Sequence, residues 1–511
     1  MSPVPARARP RSSSVANAAI FLLHRLGRRT LLCSIALFLL CVGLRVALLH
    51  RVPPPQPIVH DEFAYLLGAD TFAHGRLANR PHPLQEFFET MHQLSRPVYA
   101  SKYQPGQAAF LAFGQVVTGS PYAGVVLWVG LMVAAMYWML RAWTPPGWAL
   151  LGGVFTLATF GAQHYWMQSY WGGAVAACGS ALVVGAVGRG RASWAYGAGA
   201  ALLLFTRPYE GAGLLAMAGV AILWRARSWR AVKWPAVAIV GAAVAFQAFY
   251  DWRLTGNPLR PPYVEHIAQY EVAPILWIFP PSAPKTYSYP EIANLHAWEQ
   301  RTYGQIMQYG LFGRAHHLAY RILYNLPDSF RGFWMAWIVA VLWPDRGLRR
   351  LAWLSLGVFA VLMLETWMIP HYEAPLIALA LALMTRLGWR MWHMKPAGPV
   401  LVMLFAVVYG VAARKASSPV EGLHGEYPQD RAAVIARLQA EGGQHVVIVH
   451  YAPDHSPHRE WVFNAAEIDA APIVWARDRG PDNARLRSYF AGRKFWALEP
   501  DATPYRLQPL R

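Results

Sequence analysis

The chain has 511 residues, of which 55% are hydrophobic and only 14% are charged. A soluble domain carries about 25% charged residues. The apolar residues of this chain are gathered in long runs. Together these features predict a polytopic membrane protein and exclude an ordinary soluble enzyme. The formal charge of +19 lies largely in short loops between apolar runs. This is the charge pattern that orients membrane proteins, so we do not expect a nucleic-acid partner.

The three cysteines, Cys33, Cys41 and Cys178, all fall inside apolar segments. Their spacing fits neither a disulfide framework nor a zinc site, and we interpret them as small buried hydrophobic residues. The basic N-terminus precedes a full-length apolar segment with no Ala-x-Ala site close behind it. We therefore expect this segment to be retained as a span.

The first predicted span covers residues 30–50, and the arginines before it place residues 1–29 in the cytoplasm. Residues 51–120 then form an outer loop. Within it, residues 104–118 are apolar but short, which indicates a helix that lies at the interface or re-enters the membrane; a true crossing is the alternative. The first interpretation is favoured because it puts all later basic clusters on the inner side: Arg141, 189–191, 225–233, 346–350 and 386–395.

Ten further spans are predicted where apolar runs recur: 121–141, 147–164, 172–188, 193–206, 208–224, 234–250, 328–343, 350–368, 373–389 and 397–413. About eleven spans place the C-terminus outside, in a multi-pass protein of the inner (plasma) membrane. A second outer loop covers 251–327. Residues 247–271, which lead into it, are interpreted as a membrane-surface stretch, with sugar binding as the alternative. Pro208 separates two close half-spans, an arrangement typical of binding sites within membranes.

Residues 414–511 are polar and mixed in pattern, unlike the transmembrane part at 30–413. Helices are expected at 429–440 and 482–490, and strands at 445–451, 472–476 and 494–498. This alternation predicts a small extracytoplasmic α/β domain beside a mainly α bundle. It contains no Gly-rich phosphate loop, so we interpret it as an accessory or acceptor-recognition unit.

The acidic pair Asp61-Glu62 comes directly after the first span, and the stretch behind it can lie flat on a membrane as an amphipathic helix over 62–75. One interpretation is structural: Asp61 caps this helix, and Glu62 is favourable in its first turn. The other is chemical, because charged groups at a membrane are costly and are usually functional.

The sequence contains, in order, a span, Asp61-Glu62, an amphipathic helix, and then Lys102-Tyr103-Gln104-Pro105-Gly106 before an apolar run. This order resembles that in the GT-C-type membrane glycosyltransferases. It is most similar to the branch of protein O-mannosyltransferases and aminoarabinose transferases, glycosyltransferase family 39. The topological resemblance covers about residues 30–390. Its motifs lie mainly in 60–106, with looser matches at 205–210 and 370–375.

The resemblance implies a polyprenyl-phosphate sugar as donor and an acceptor hydroxyl or phosphate, on a lipid, glycan or protein, at the extracytoplasmic side. It implies that Asp61 is the general base of an inverting transfer. Glu62 would be a second carboxylate that orients the acceptor or holds a metal. The loop 163–171 has no carboxylate where the aminoarabinose branch has an Asp, which counts against a shared metal site.

The donor phosphate needs a fixed cation at the outer boundary. Lys102 matches the basic residue of the family's Lys-Pro-Pro-type motif, and Arg207 stands at the break between two half-spans, where its planar fork suits phosphate oxygens. The alternatives for Arg207 are snorkelling and pairing with Glu210. His371 and Tyr372 emerge at the end of a span and could contact phosphate or sugar, or belong to an interfacial aromatic belt.

Residues beside these motifs are expected to contact the sugar or the acceptor: His60, Tyr65, Tyr103, Gln104 and Glu210. A divalent cation, if one is held, is expected at Asp61 and Glu62. His60, His74 and His82 lie nearby, but no recognised ligand spacing is present, and ordinary interfacial histidines are the alternative.

Two other function classes compete with a glycosyltransferase. A transporter or flippase of lipid-linked sugars would show repeated halves and polar residues at mid-membrane. The sequence has no evident repeat, and its acidic residues gather outside the spans, which argues against transport. A non-catalytic envelope assembly protein would use the α/β tail as its binding module.

Overall fold

The computed structural model describes residues 22–308, 310–324, 333–367, 369–394, 397–400, 402 and 427–510. It is mainly helical, with a small sheet near the C-terminus, which confirms the predicted fold class. The helices before the tail have these bounds: α1 Thr30–Leu48, α2 His60–Ala73, α3 Pro105–Thr118, α4 Pro121–Leu140, α5 Pro146–Phe160, α6 Ala174–Arg189, α7 Trp194–Leu204, α8 Pro208–Ala226, α9 Trp234–Thr255, α10 Pro262–Tyr270, α11 Pro290–Met307, α12 Gly310–Tyr324, α13 Phe333–Leu342, α14 Arg346–Leu362 and α15 Ala374–Trp392.

Among the described residues, four helices are long and apolar enough to cross a membrane: Thr30–Leu48, Pro121–Leu140, Trp234–Thr255 and His371–Trp392. Shorter apolar helices accompany them at α5, α6 and α7. Each predicted span between 30 and 389 coincides with a helix. The range 397–413 and the start of 328–343 lie largely outside the described residues, so the total of eleven stays a prediction.

Proline and glycine set many of these helix limits. Pro105, Pro121 and Pro208 stand in the first turn of their helices, where the missing N–H costs nothing. Gly119 and Gly256 end α3 and α9 in the left-handed conformation, with φ of 77° and 78°. The cap at Gly256 places the end of α9 at Thr255, five residues beyond the predicted span 234–250.

One predicted boundary moves because of a side-chain cap. The span expected at 350–368 begins at Arg346, since the carboxylate of Asp345 accepts a hydrogen bond of 2.8 Å from the Leu348 N–H. The same carboxylate is ion-paired with Arg386 of α15 at 2.8 Å. This contact ties the start of α14 to the end of α15.

The core of the bundle lies where α4, α6 and α15 pack together. Val129, Met136, Ala181 and Leu379 are fully buried there. Such complete burial of apolar side chains from three helices fixes the bundle around one central layer.

The helix ends divide between two faces of the bundle. On the basic face, Arg141 donates to Thr30 Oγ1 at 3.3 Å, and Arg225 donates to the Gly188 carbonyl at 3.1 Å. Helix α8 connects this face to the opposite one. We call the opposite face the site face; it carries α2 and the break between α7 and α8.

The loop after α1 differs in detail from the prediction. Helix α2 begins at His60 and not at 62, its N-cap is Val59, and Asp61 lies in the first turn, so the interpretation of Asp61 as the N-cap was wrong. Helix α3 has 14 residues, about 21 Å, which is shorter than the roughly 30 Å of a bilayer core. This length fits the interfacial or re-entrant interpretation of 104–118.

The tail is a small α/β unit. Helices α16 (Tyr427–Glu441) and α17 (Asn483–Tyr489) accompany the strands β3 His445–Val449, β4 Ile473–Arg477, β5 Lys494–Glu499 and β6 Arg506–Leu510. A short antiparallel pair precedes them in the loop after α2, β1 Gln93–Leu94 with β2 Ala100–Ser101. The tail sheet has the order β4-β3-β5-β6, parallel except for β6. The sequence analysis missed β6.

The two faces of the tail sheet are closed by residues of the loop that follows α1. One core joins Val447 and Trp475 of the sheet to Phe63 of α2. The other joins Val446 of the sheet to Leu67 and Phe87. The sheet therefore packs directly on the helix that carries Asp61, while the predicted domain boundary at 414 lies outside the described residues.

Candidate active site

The carboxylate of Asp61 is enclosed at the site face, with its side chain 15% exposed. His60 Nδ1 lies 3.0 Å from Oδ2, and His92 Nε2 lies 3.8 Å from the same oxygen. The hydroxyl of Tyr103 donates a hydrogen bond to Oδ1. Each oxygen of this carboxylate thus has a defined partner.

The β1–β2 pair brings the partners of Asp61 together. The Lys102 N–H donates to the His92 carbonyl at 3.1 Å, which fixes the next residue, Tyr103, against α2. The ring of Tyr103 stacks on that of Tyr65 at 4.5 Å. His92 has a φ of 60°, a left-handed conformation that non-glycine residues adopt mainly where function or packing demands it.

The electrostatics of this corner keep Asp61 ionised. Burial opposes the charge, but the hydrogen bonds from His60 and Tyr103 hold the pKa of Asp61 well below its usual value. Burial, together with the neighbouring Lys102, keeps the pKa of His92 well below its usual value. A carboxylate that is charged beside neutral imidazole is available to accept a proton.

Glu62 faces away from this corner. One of its oxygens accepts from the Ile58 N–H at 2.8 Å, and the other accepts from the Tyr170 N–H at 2.7 Å. Burial raises the pKa of Glu62 to about 7. Both oxygens are engaged by backbone donors, so the carboxylate ties the first turn of α2 to the residues just before it and to the loop before α6.

A second charged group enters the site from the break between α7 and α8. The guanidinium of Arg207 lies over the ring of Tyr372 at 4.1 Å, and its Nη1 is 3.5 Å from Glu210. The Gly106 N–H donates to the Phe205 carbonyl at 2.7 Å. This bond brings the segment that holds Tyr103 against the break that holds Arg207.

Aromatic side chains lie beside each of the two charges. Tyr65 stacks on the ring of Tyr103, which bonds Asp61. Tyr372 lies beneath the guanidinium of Arg207 and next to His371, at 5.0 Å between ring centres. The buried ring of His371 also packs on Trp171 at 4.4 Å. The structure therefore brings a carboxylate and a guanidinium to one enclosed, aromatic-lined site.

Lys102 occupies a neighbouring position. Its Nζ is 3.1 Å from Glu271 Oε1, and His266 Nδ1 is 3.0 Å from the same oxygen. The pair is buried, and the Lys102 and His266 contacts lower the pKa of Glu271 to about 2 against the effect of burial. Lys102 and Arg207 thus each have a carboxylate partner. We favour Arg207 for the donor phosphate because its contact with Glu210 is the longer of the two, 3.5 Å against 3.1 Å, and its planar fork can bind phosphate oxygens at the same time.

Other predicted positions are used elsewhere. Gln104 Oε1 accepts a hydrogen bond of 2.7 Å from Gln247. His74 bonds the Asp70 carbonyl, and His82 bonds Asp469 of the tail at 2.9 Å. These side chains are not brought to Asp61.

Three groups could hold a metal ion: His60, Asp61 and His92 each offer a ligand atom, and these atoms lie within 4.8 Å of one another. Two imidazole nitrogens with a carboxylate oxygen form a set that Zn²⁺ takes in catalytic sites. Glu62, which was predicted beside Asp61 as a ligand, is not part of this cluster.

The sequence analysis missed His92 and the residues of the tail that approach α2. The ring of Phe463 stacks on Phe63 at 4.0 Å, and His458 lies 5.7 Å from the ring of His60. No local motif marks these residues, because Phe463 and His458 make their contacts across hundreds of positions and His92 reaches Asp61 only through the pairing of β1 with β2. The tail therefore forms part of the surroundings of the site.

The chain matches no family model and no curated protein. Its fold is similar to that of ArnT from Cupriavidus metallidurans bound to undecaprenyl phosphate, with a TM-score of 0.51, 12% identity and 92% coverage of each chain. The apo structure of ArnT from the same organism has a TM-score of 0.49 and 12% identity, with 95% of this chain and 93% of that chain covered. The Archaeoglobus fulgidus oligosaccharyltransferase in complex with Zn and sulfate has a TM-score of 0.44 and 10% identity, with 91% of this chain and 67% of that chain covered.

The likeness to lipid-bound ArnT extends over 92% of each chain. It agrees with the resemblance expected from the Asp61 and Lys102 segments. The chain therefore has the fold of the GT-C-type membrane glycosyltransferases.

Proposed function

We propose that the chain transfers a sugar from a polyprenyl-phosphate donor to an acceptor hydroxyl or phosphate, with Asp61 as general base. The observation that carries the proposal is that the segment whose Tyr103 bonds Asp61 packs, through Gly106 and Phe205, against the break that holds Arg207, more than a hundred residues away in sequence. ArnT, the protein of similar fold, was solved bound to undecaprenyl phosphate, and the proposed donor belongs to this class of lipid.

In the proposed reaction, the acceptor oxygen attacks the anomeric carbon of the sugar as the bond from that carbon to the phosphate oxygen breaks. For a hydroxyl acceptor, the proton passes to the carboxylate of Asp61. Polyprenyl phosphate leaves with the electron pair, and the guanidinium of Arg207 stabilises the charge that develops on it. Attack opposite the leaving group inverts the sugar carbon.

The site surroundings supply orientation. Tyr103 and His60 hold the carboxylate of Asp61 by hydrogen bonds. Tyr372, beneath the guanidinium of Arg207, limits its movement by a cation–π contact. Fixed groups of this kind lower the barrier because they need not reorganise during transfer.

The orientation follows from charge. Arginines gather on the basic face, at the ends of α4 and α8 among others. By the positive-inside rule this face is cytoplasmic, so the site face and the tail are extracytoplasmic, in the inner (plasma) membrane.

A divalent ion would be held by His60, Asp61 and His92. When bound, such an ion would act as a Lewis acid that stabilises negative charge developing in the reaction. The steps above use the protein's own residues.

The proposal is tested by incubating membranes that contain the chain with a panel of radiolabelled polyprenyl-phosphate sugars and following the label into an acceptor. Transfer of one sugar above the level of membranes without the chain is the expected result. The proposal would be contradicted if the purified protein were folded and no lipid-linked sugar of the panel were consumed.

A further inference from the structure

A groove of about 750 Å³ lies on the site face between the tail and the end of the segment that carries α2. Its walls come from five parts of the chain: residues 75–83, Tyr99, the last turn of α9, residues 466–469 and Tyr489. It is separated from Asp61 by the length of α2, about 20 Å. The proposed reaction does not use it.

The acidic side chains of this groove are already paired. Glu467 is ion-paired with Arg76. Asp469 lies 2.9 Å from His82 Nε2 and accepts a hydrogen bond of 3.0 Å from the hydroxyl of Tyr489. The Arg76–Glu467 and His82–Asp469 contacts cross from the loop after α2 to the tail, so they also hold the walls of the groove together.

Two arginines remain without such a partner. Arg80 and Arg253 are exposed and line the same groove, and neither is ion-paired with a carboxylate within the described part of the chain. Two uncompensated guanidinium groups that face one cavity form a site for an anion.

The position of Arg253 indicates where this anion comes from. Arg253 lies in the last turn of α9, a helix long enough to span the membrane. Its neighbours Phe249 and Trp252 are half exposed, as is typical of aromatic residues at a membrane boundary. The groove therefore opens at the level of lipid headgroups.

We propose that this groove is a phosphate-binding site, occupied by the phosphate group of a membrane lipid. Phosphate oxygens match the planar fork of arginine and form short, charge-assisted hydrogen bonds with it. A volume of this size accommodates a headgroup, while the acyl chains would remain beside Trp252. Free phosphate carries the same chemistry, and the experiment separates the two sources.

The test uses the full chain, purified in an uncharged detergent, and native mass spectrometry with three probes: dihexanoyl phosphatidic acid, dihexanoylglycerol and inorganic phosphate. The wild type is expected to bind the phosphatidic acid and not the glycerol. The double variant Arg80→Gln/Arg253→Gln should lose about tenfold or more in affinity, and Arg80→Lys/Arg253→Lys should retain part of it. A matched control, Arg437→Gln/Arg506→Gln, removes two exposed arginines of the tail that lie outside the groove.

Loss confined to the groove variant supports the site. If the wild type binds phosphatidic acid more tightly than inorganic phosphate, the ligand of the site is a lipid. If the two affinities are equal, the ligand of the same site is free phosphate. The proposal would be overturned if the wild type and the Arg80→Gln/Arg253→Gln variant bound phosphatidic acid equally well. It would also be overturned if the tail control lost as much affinity as the groove variant. Thermal midpoints of all variants show whether each is folded.

Discussion

The hydroxyl of Tyr103 donates a hydrogen bond to the carboxylate of Asp61, across 42 positions of sequence. This contact joins the two motifs on which the family resemblance depends. It also separates the two acids of the pair: Asp61 faces tyrosine and histidine in the site, whereas Glu62 accepts only backbone hydrogen bonds among the described residues.

Glu62→Gln tests that separation. Glutamine has one acceptor oxygen, so one of the two buried N–H groups, of Ile58 or Tyr170, loses its partner, and the free energy of unfolding should fall by about 1–3 kcal/mol. Thermal midpoint and transfer by the folded protein at low temperature are the measurements. Unchanged stability with abolished transfer would show that Glu62 takes part in the reaction.

Arg207→Ala should weaken donor binding by about tenfold or more and leave acceptor affinity nearly unchanged, because a charge-assisted contact to phosphate is lost. Arg207→Lys should recover part of the affinity. Titration with a short-chain polyprenyl phosphate measures the effect, with Arg225→Ala on the basic face as control. A donor affinity that does not change would exclude a phosphate contact by Arg207.

Gly106→Ala should disturb the junction between the two motifs. A Cβ there would lie 2.6 Å from the Phe205 carbonyl oxygen, so the backbones must separate, at a cost of about 1–3 kcal/mol. Gly304→Ala is the matched control, since its Cβ would meet nothing within 4 Å, and the alanine should stabilise α11 slightly. Thermal midpoints that fall equally in both variants would argue against the tight contact.

Chelation tests the role of a metal. We expect transfer to survive EDTA, because the proposed steps use Asp61 and Arg207, and Asp61 already accepts hydrogen bonds from His60 and Tyr103. Activity lost with EDTA and restored by Zn²⁺ would instead assign His60, Asp61 and His92 as ligands. Metal content of the purified protein provides an independent measurement.

Much of the bundle could be predicted because its signals are local. Long apolar runs and the prolines that open them, such as Pro121 and Pro208, locate helices without any tertiary information. The position of Asp61 directly after a span also drew attention to it from sequence alone.

The remainder depends on contacts between distant parts of the chain. His92 reaches Asp61 only because β1 and β2 pair, and Lys102 meets Glu271 across 169 positions. Strand β6 has no alternating pattern and contains Pro509, which an edge strand tolerates. Such features arise from the fold and leave no periodic trace in the sequence.

The central claim is that the carboxylate of Asp61 accepts the acceptor proton, and Asp61→Asn tests it most directly, because asparagine has nearly the same shape and cannot act as the base. Asp70→Asn is the control on the same helix, since Asp70 bonds Gln115 and the Ala466 N–H away from the site. The account predicts that Asp61→Asn folds with a thermal midpoint near that of wild type and transfers no sugar from a polyprenyl-phosphate donor, whereas Asp70→Asn retains transfer. Full transfer by folded Asp61→Asn would contradict it.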